Sequence, residues 1–252
     1  RAVLRMVDRF IAACSTTILV DSKTQQSFLV EQNIVSDSSS TVLCDGSISG
    51  VDCNRFQVNQ QKCLQTREKL GTRNTTVVIL FVGRLKKEKG VNELIEAFTQ
   101  AKSTYPDMEL WFVGPDEEGV QQEVGPLDGI KYISFTSEPQ NYMASADVLC
   151  LPSYREGFGS VVIEAGACGI PSIGSNIYGL QDAIVDGETG ILVKPKSVDA
   201  LAIAMLQLSQ DESLRVQMGK AAQKRAICSF PQVRLTDAIL TMYSKLLCPP
   251  KA

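Results

Sequence analysis

The sequence predicts an α/β fold, a doubly wound parallel sheet covered by helices, preceded by a smaller incomplete unit. Three observations carry that expectation. The run Val77–Val82 (VVILFV) is apolar at every position, as a strand buried on both faces of a parallel sheet must be. From there to residue 193 short strand-like runs and helical patterns alternate, with connections of a few residues, which describes right-handed β-α-β units. Within that alternation, PSYREGFGSVVIEAGACGIP (152–171) reads as a strand end, a glycine turn and a helix stopped by Gly169 with Pro171 just beyond.

In chain order, residues 1–14 (RAVLRMVDRFIAAC) read as a helix with Arg1, Arg5 and Arg9 along one edge at i, i+4 spacing. Val3, Leu4, Val7, Phe10 and Ile11 fill the rest, so a packed helix with a solvated arginine edge is favoured over a membrane-surface helix. Starting mid-helix at Arg1, the stretch reads as the tail of something larger. A strand (17–20), a helix (24–32), a serine-rich turn (36–40) and a strand (41–44) follow. Residues 46–56 (GSISGVDCNRF) are turn chemistry, and 57–75 are polar enough for a linker. Residues 1–57 are accordingly assigned to the first unit with its linker, and 58–252 to the main domain. There, strands are expected at 77–82, 109–113, 130–135, 148–151, 171–174 and 191–193. Helices are expected at 92–102, 140–145, from 160 to the Gly169 stop, and at 198–209, 212–228 and 233–247.

Composition narrows the function classes. With 44% apolar and 21% charged residues the chain can build a core, and a net charge of −3 with a pI near 5.2 argues against a nucleic-acid binder. No apolar run approaches the ~20 residues of a membrane span, and no signal peptide opens the chain. The eight cysteines form no C-x-x-C pair; Cys150 and Cys168 lie inside apolar runs, which points to reduced core thiols and a cytoplasmic protein. Histidine is absent, which removes Ser-His-Asp and Cys-His triads and every histidine metal site from this chain.

Ligands of open α/β sheets bind outside the carboxyl ends of the strands, and the informative residues fall there. After the first strand comes a cationic loop, GRLKKEKG (83–90); after the second, Gly114-Pro115-Asp116; after the third, residues 135–138; after the fourth, 153–159 with Glu156. Two cations and a helix N-terminus converging on one crevice describe a diphosphate site. A charge pair at about 4 Å is worth about 4 kcal/mol at an effective dielectric near 20. A helix end adds about 0.3–1 kcal/mol. Arg84 and one of Lys86, Lys87 and Lys89 should therefore dominate affinity, while the amides of Gly157–Gly159 set geometry. Alone, Glu156 could be a surface ion pair with Arg155 and Glu164 a solvated helix residue; their joint spacing with the cationic loop is what singles them out. No G-x-G-x-x-G supports a dinucleotide, no P-loop signature occurs, and no Asp-x-Asp pair is present to hold a metal on a diphosphate.

EGFGSVVIE (156–164) resembles the E-x7-E motif, and GRLKKEKG the G-R-x4-K motif, of glycosyltransferase family 4 enzymes with the GT-B fold. GSISGVD, SADVLCLPS and DAIVDGETGILV extend the likeness, which runs from about residue 17 to the C-terminus and points to the capsule, O-antigen and exopolysaccharide branch. GT-B enzymes have two Rossmann-like domains facing across a cleft. The resemblance implies that residues 58–252 are the nucleotide-sugar domain and 1–57 a remnant of the acceptor domain with its linker, the earlier acceptor-domain units being missing. It further implies that Arg84 and Lys89 neutralise the donor diphosphate and the leaving group. Glu156 would accept from hydroxyls of the transferred sugar, Phe158 and Gly159 would present backbone amides to the sugar or phosphate, and Gly83, Gly157 and Ser160 would be donor-binding with them. Glu164 would accept from both ribose hydroxyls as an ionised carboxylate, and backbone at Phe135, Thr136 and Ser137 would read the base.

The implied activity is retaining, metal-independent hexosyl transfer with no cofactor, from a UDP-sugar co-substrate to a glycan or lipid-linked acceptor. No nucleic-acid partner and at most peripheral contact with the cytoplasmic membrane face are expected, and the chain alone should transfer poorly. Two alternatives stay open: a nucleotide-sugar-binding module or pseudoenzyme that needs a separate acceptor-domain chain, and a GT-B epimerase or hydrolase.

Overall fold

In the computed structural model, which describes residues 2–247, Val77–Val82 lies at the centre of a six-stranded parallel sheet. In chain order the elements are α1 (Ala2–Ala13), β1 (Ile18–Leu19), α2 (Lys23–Glu31), β2 (Ser40–Thr41), α3 (Gln60–Lys69), β3 (Val77–Val82) and α4 (Val91–Thr104). Next come β4 (Met108–Val113), α5 (Val120–Val124), β5 (Ile130–Ile133), α6 (Pro139–Met143), β6 (Val148–Leu151) and α7 (Ser160–Ala167). The chain continues through β7 (Ser172–Ser175), α8 (Leu180–Ala183), β8 (Gly190–Val193), α9 (Val198–Gln210), α10 (Glu212–Ser229) and α11 (Gln232–Leu247).

The main sheet runs β5-β4-β3-β6-β7-β8, so strand order reverses between the neighbours β3 and β6. That reversal leaves a crevice above their carboxyl ends, because the following loops turn to opposite faces of the sheet. The expected fold class is the observed one. Val78, Ile79, Leu80 and Phe81 are fully buried, as are Trp111 and Phe112 on β4, with Leu94, Ala97 and Phe98 of α4 packed on them. Among the described residues no helix is long and apolar enough to cross a membrane.

Four expectations are corrected. Residues 57–75 are not a linker: α3 forms there, with the Asn59 side chain accepting from the Lys62 amide. Its sequence shows no apolar stripe because polar bonds hold it. Arg67 donates to the carbonyls of Ser145, Arg73 and Thr76 and pairs with Asp147 at 2.7 Å, and the Cys63 thiol donates to the Ala144 carbonyl. The first helix is not packed by its apolar side. Arg9 turns inward to the Gln32 and Asn33 carbonyls at the end of α2, while Phe10 stays 71% exposed with Val3, Leu4 and Met6. Arg1, placed with Arg5 and Arg9, lies outside the described residues. The expected strand 41–44 shrinks to β2, paired with β1, since Cys44 takes a positive φ of 51°. The strand 130–135 ends at Ile133, leaving Phe135 in a loop. The short helices α5 and α8 carry too few turns for a periodic signal.

Candidate functional site

The loops after β3 and β6 meet above the switch point. A 3-10 turn at Lys87–Lys89 ends in Gly90 at φ 71°, and a Cβ there would overlap the carbonyl oxygen of Pro152. Only glycine lets the two loops touch. The Tyr154 amide then donates to the Glu88 carbonyl at 2.9 Å, and Arg155 pairs with Glu88 at 3.0 Å rather than with Glu156. This lacing brings Lys89 Nζ to 2.7 Å from Glu156 Oε1, which also accepts from Ser153 Oγ at 2.7 Å. Lys89 and Glu156 are both largely buried there.

The other cations of the loop divide by direction. Lys86 donates to Glu117 at 2.6 Å, and Arg84 lies 3.6 Å from the same carboxylate. The hydrogen bond from Lys86 and the two positive charges hold the Glu117 carboxyl below its usual range. Lys87 points outward, 4.0 Å from Glu123. Geometry therefore separates three lysines that charge alone could not: Lys89 faces Glu156, Lys86 and Arg84 share Glu117, and Lys87 faces solvent. The Gly83 amide donates to the Val113 carbonyl at 2.9 Å, which fixes the start of the cationic loop against β4.

Gly159, at φ 80°, caps α7 without a side-chain bond, and among the described residues no protein acceptor serves the Ser160 and Val161 amides. Those are open donors at the positive end of a helix. The Phe158 side chain is buried edge-on against Phe230 with ring centroids 5.1 Å apart, which leaves its backbone free to line the turn. Glu164, in the second turn of α7, is partly buried, and among the described residues its side chain makes no hydrogen bond or ion pair. Burial pushes its carboxyl up to about 7, against the opposing charge of Arg55. Burial thus opposes the ionised form that accepting from both ribose hydroxyls would call for.

The loop after β5 holds the remaining expected residues. Phe135 is 79% exposed, Thr136 Oγ1 accepts from the Glu138 amide at 3.1 Å, and the Ser137 carbonyl accepts from Arg55 Nη2 at 2.7 Å. Arg55 is a residue that sequence reasoning passed over as turn chemistry, and no local pattern marks it. Glu117 and Ser153 were also missed. Asp21, from the first unit, is a fourth. A Cβ on Gly157 would come within 2.5 Å of Asp21 Oδ2. Burial raises the Asp21 carboxyl, partly offset by a hydrogen bond from the Ile48 backbone.

The family model described as "Glycosyl transferases group 1" matches residues 64–225, more than half of the chain. The capsular polysaccharide biosynthesis glycosyltransferase CapM of Staphylococcus aureus is 30% identical over 253 residues, covering 97% of this chain and 66% of its own. Sucrose-phosphate synthase from Thermosynechococcus elongatus superposes with a TM-score of 0.84 at 26% identity, over 98% of this chain and 62% of that one. Anabaena Alr3699/HepE, solved with UDP and glucose, superposes at 0.82 with 23% identity, over 91% and 63%. The chain thus spans slightly less than two thirds of each of these relatives.

Proposed function

This chain belongs to the glycosyl transferases group 1, and from that premise we propose that it binds the nucleotide-sugar donor of a retaining, metal-independent family 4 glycosyltransferase. The donor is a UDP-sugar, and the acceptor a glycan or lipid-linked saccharide of surface polysaccharide synthesis. The observation that carries the reading is the Lys89–Glu156 pair, set beside the open amides of Ser160 and Val161 at the strand-order reversal.

Lys89 and Glu156 neutralise each other at 2.7 Å. A donor would separate them: Lys89 and Arg84 to the diphosphate, Glu156 to hydroxyls of the sugar, Glu164 to the ribose diol. Charge on the departing phosphate grows as the glycosidic bond breaks, so fixed cations there stabilise the transition state more than the ground state. The departing phosphate can itself take the acceptor proton, which asks of the protein only positioning and charge. A chain without histidine can supply both. The name of CapM, a capsular polysaccharide biosynthesis glycosyltransferase, supports a surface-polysaccharide acceptor, and the HepE structure with UDP and glucose supports a UDP-sugar donor. Poor transfer by the 252-residue chain alone belongs to the same proposal.

Titration calorimetry with UDP tests it. Binding is expected, and Arg84→Ala should weaken UDP about 10-fold or more while leaving uridine affinity unchanged. Equal UDP affinity in the variant would defeat the assignment.

A further inference from the structure

We propose that Arg55 is a positioning residue for the donor nucleoside, holding the base-side loop and Glu164 ready from a segment outside the main sheet. The inference rests on the donor-site reading above and names a residue that reading does not use.

Arg55 is preorganised. The Asp52 carboxylate accepts from the amides of Asn54 and Arg55 at 3.0 and 3.3 Å, which fixes the local turn. The guanidinium lies 5.3 Å from the centroid of the buried Phe56 ring. From there its Nη2 donates to the Ser137 carbonyl at 2.7 Å and its Nε to Gln140 Oε1 at 3.3 Å. Both acceptors lie past the end of β5, where the sheet no longer holds the chain. One side chain from residues 46–56 therefore ties down the loop expected to meet the base.

The charge of the same guanidinium also acts on Glu164. Among the described residues, Arg55 is the charge that acts on this carboxylate, and it acts to keep it ionised. Just past the end of α7, Cys168 is a neutral thiol, pushed up to about 12 by burial and by the nearby Cys63 and Glu164. A carboxylate that must accept two hydroxyl bonds works best ionised, and burial opposes ionisation, so a cation placed beyond ion-pair distance favours the charged form without occupying its oxygens. An arm serving only to brace the loop would have no such effect.

UDP and uridine titrations across pH 5.5–8.5 on the full chain, Arg55→Ala and Arg55→Lys test the role. Arg55→Ala should weaken UDP and uridine by the same factor, about 10-fold, because the loss falls on the nucleoside. The pH midpoint of UDP affinity should move upward in Arg55→Ala and stay in place in Arg55→Lys, which keeps the charge. Arg55→Lys should still bind about 3-fold more weakly, since an ammonium cannot make both bonds in that fork geometry. If Arg55→Ala does not fold, Arg55→Lys decides alone: weaker binding with an unmoved midpoint supports the role, and unchanged affinity overturns it. Loss confined to UDP, or an unmoved midpoint in Arg55→Ala, also overturns it. Failure of the unsubstituted chain to bind UDP would defeat the donor-site reading instead.

Discussion

Glu164→Gln should make the empty chain more stable and a worse nucleotide binder at once. In the folded chain burial raises the Glu164 carboxyl from 4.5 to about 7. At 1.36 kcal/mol per unit, that displacement corresponds to at most about 3 kcal/mol of penalty on the ionised form. Partial access to solvent should reduce the measured effect to about 1–2 kcal/mol. The folded pKa exceeds the unfolded one, so between about pH 4.5 and 7 the folded chain binds more protons than the unfolded chain. Stability therefore falls as pH rises through that window, and the penalty is complete above about 7. Glutamine removes the charge and keeps the shape. Urea unfolding at pH 8 should show Glu164→Gln more stable by about 1–2 kcal/mol, with the gain vanishing at pH 4.5. In the same variant UDP affinity should fall about 10- to 100-fold, since hydrogen bonds to a charged acceptor are worth about 1.5–3 kcal/mol. A variant no more stable than its parent at pH 8 would refute the argument that desolvation governs this carboxylate.

Other substitutions separate the remaining contacts. Glu117→Gln releases Arg84 and Lys86 from a competing anion. UDP affinity at low salt should rise about 3-fold, exposed ion pairs being weak, and the gain should fade in 0.5 M salt. Gly90→Ala forces a methyl group into the Pro152 carbonyl and requires a positive φ, so UDP binding measured by calorimetry should be lost, with a drop in thermal midpoint. Arg67→Ala leaves Asp147 and three carbonyls without their cation. It should destabilise the chain by about 3 kcal/mol in urea unfolding while UDP affinity at saturation of folding stays unchanged.

How far the chain was legible depended on whether a feature is local. The strands β3, β4 and β6 announce themselves because burial on both faces demands unbroken apolar runs. The glycine turn before α7 is equally plain, since a positive φ at Gly159 leaves few other residues suitable. α3 was hidden because its stability lies in what Arg67 and Cys63 touch, and Ala144, Ser145 and Asp147 among those partners are some 80 residues away in sequence. The outward apolar side of α1 was hidden for a related reason. An amphipathic pattern states that a helix has two sides, and the Arg9 bonds to the end of α2 decide which of them meets the body.

The amino-acid sequence by itself determined the fold class, the order of strands and loops, and the residue types available for an anionic sugar donor. Those follow from periodicity, backbone permissiveness and charge, each a property of neighbouring residues. Tertiary structure alone decided that Lys89 rather than Lys87 faces Glu156, that Arg84 and Lys86 share Glu117, and that Arg55 reaches the base-side loop. It also decided that the Glu164 carboxyl sits near 7. Pairing and desolvation depend on which distant groups displace water from a charge, and that is settled only when the chain has folded.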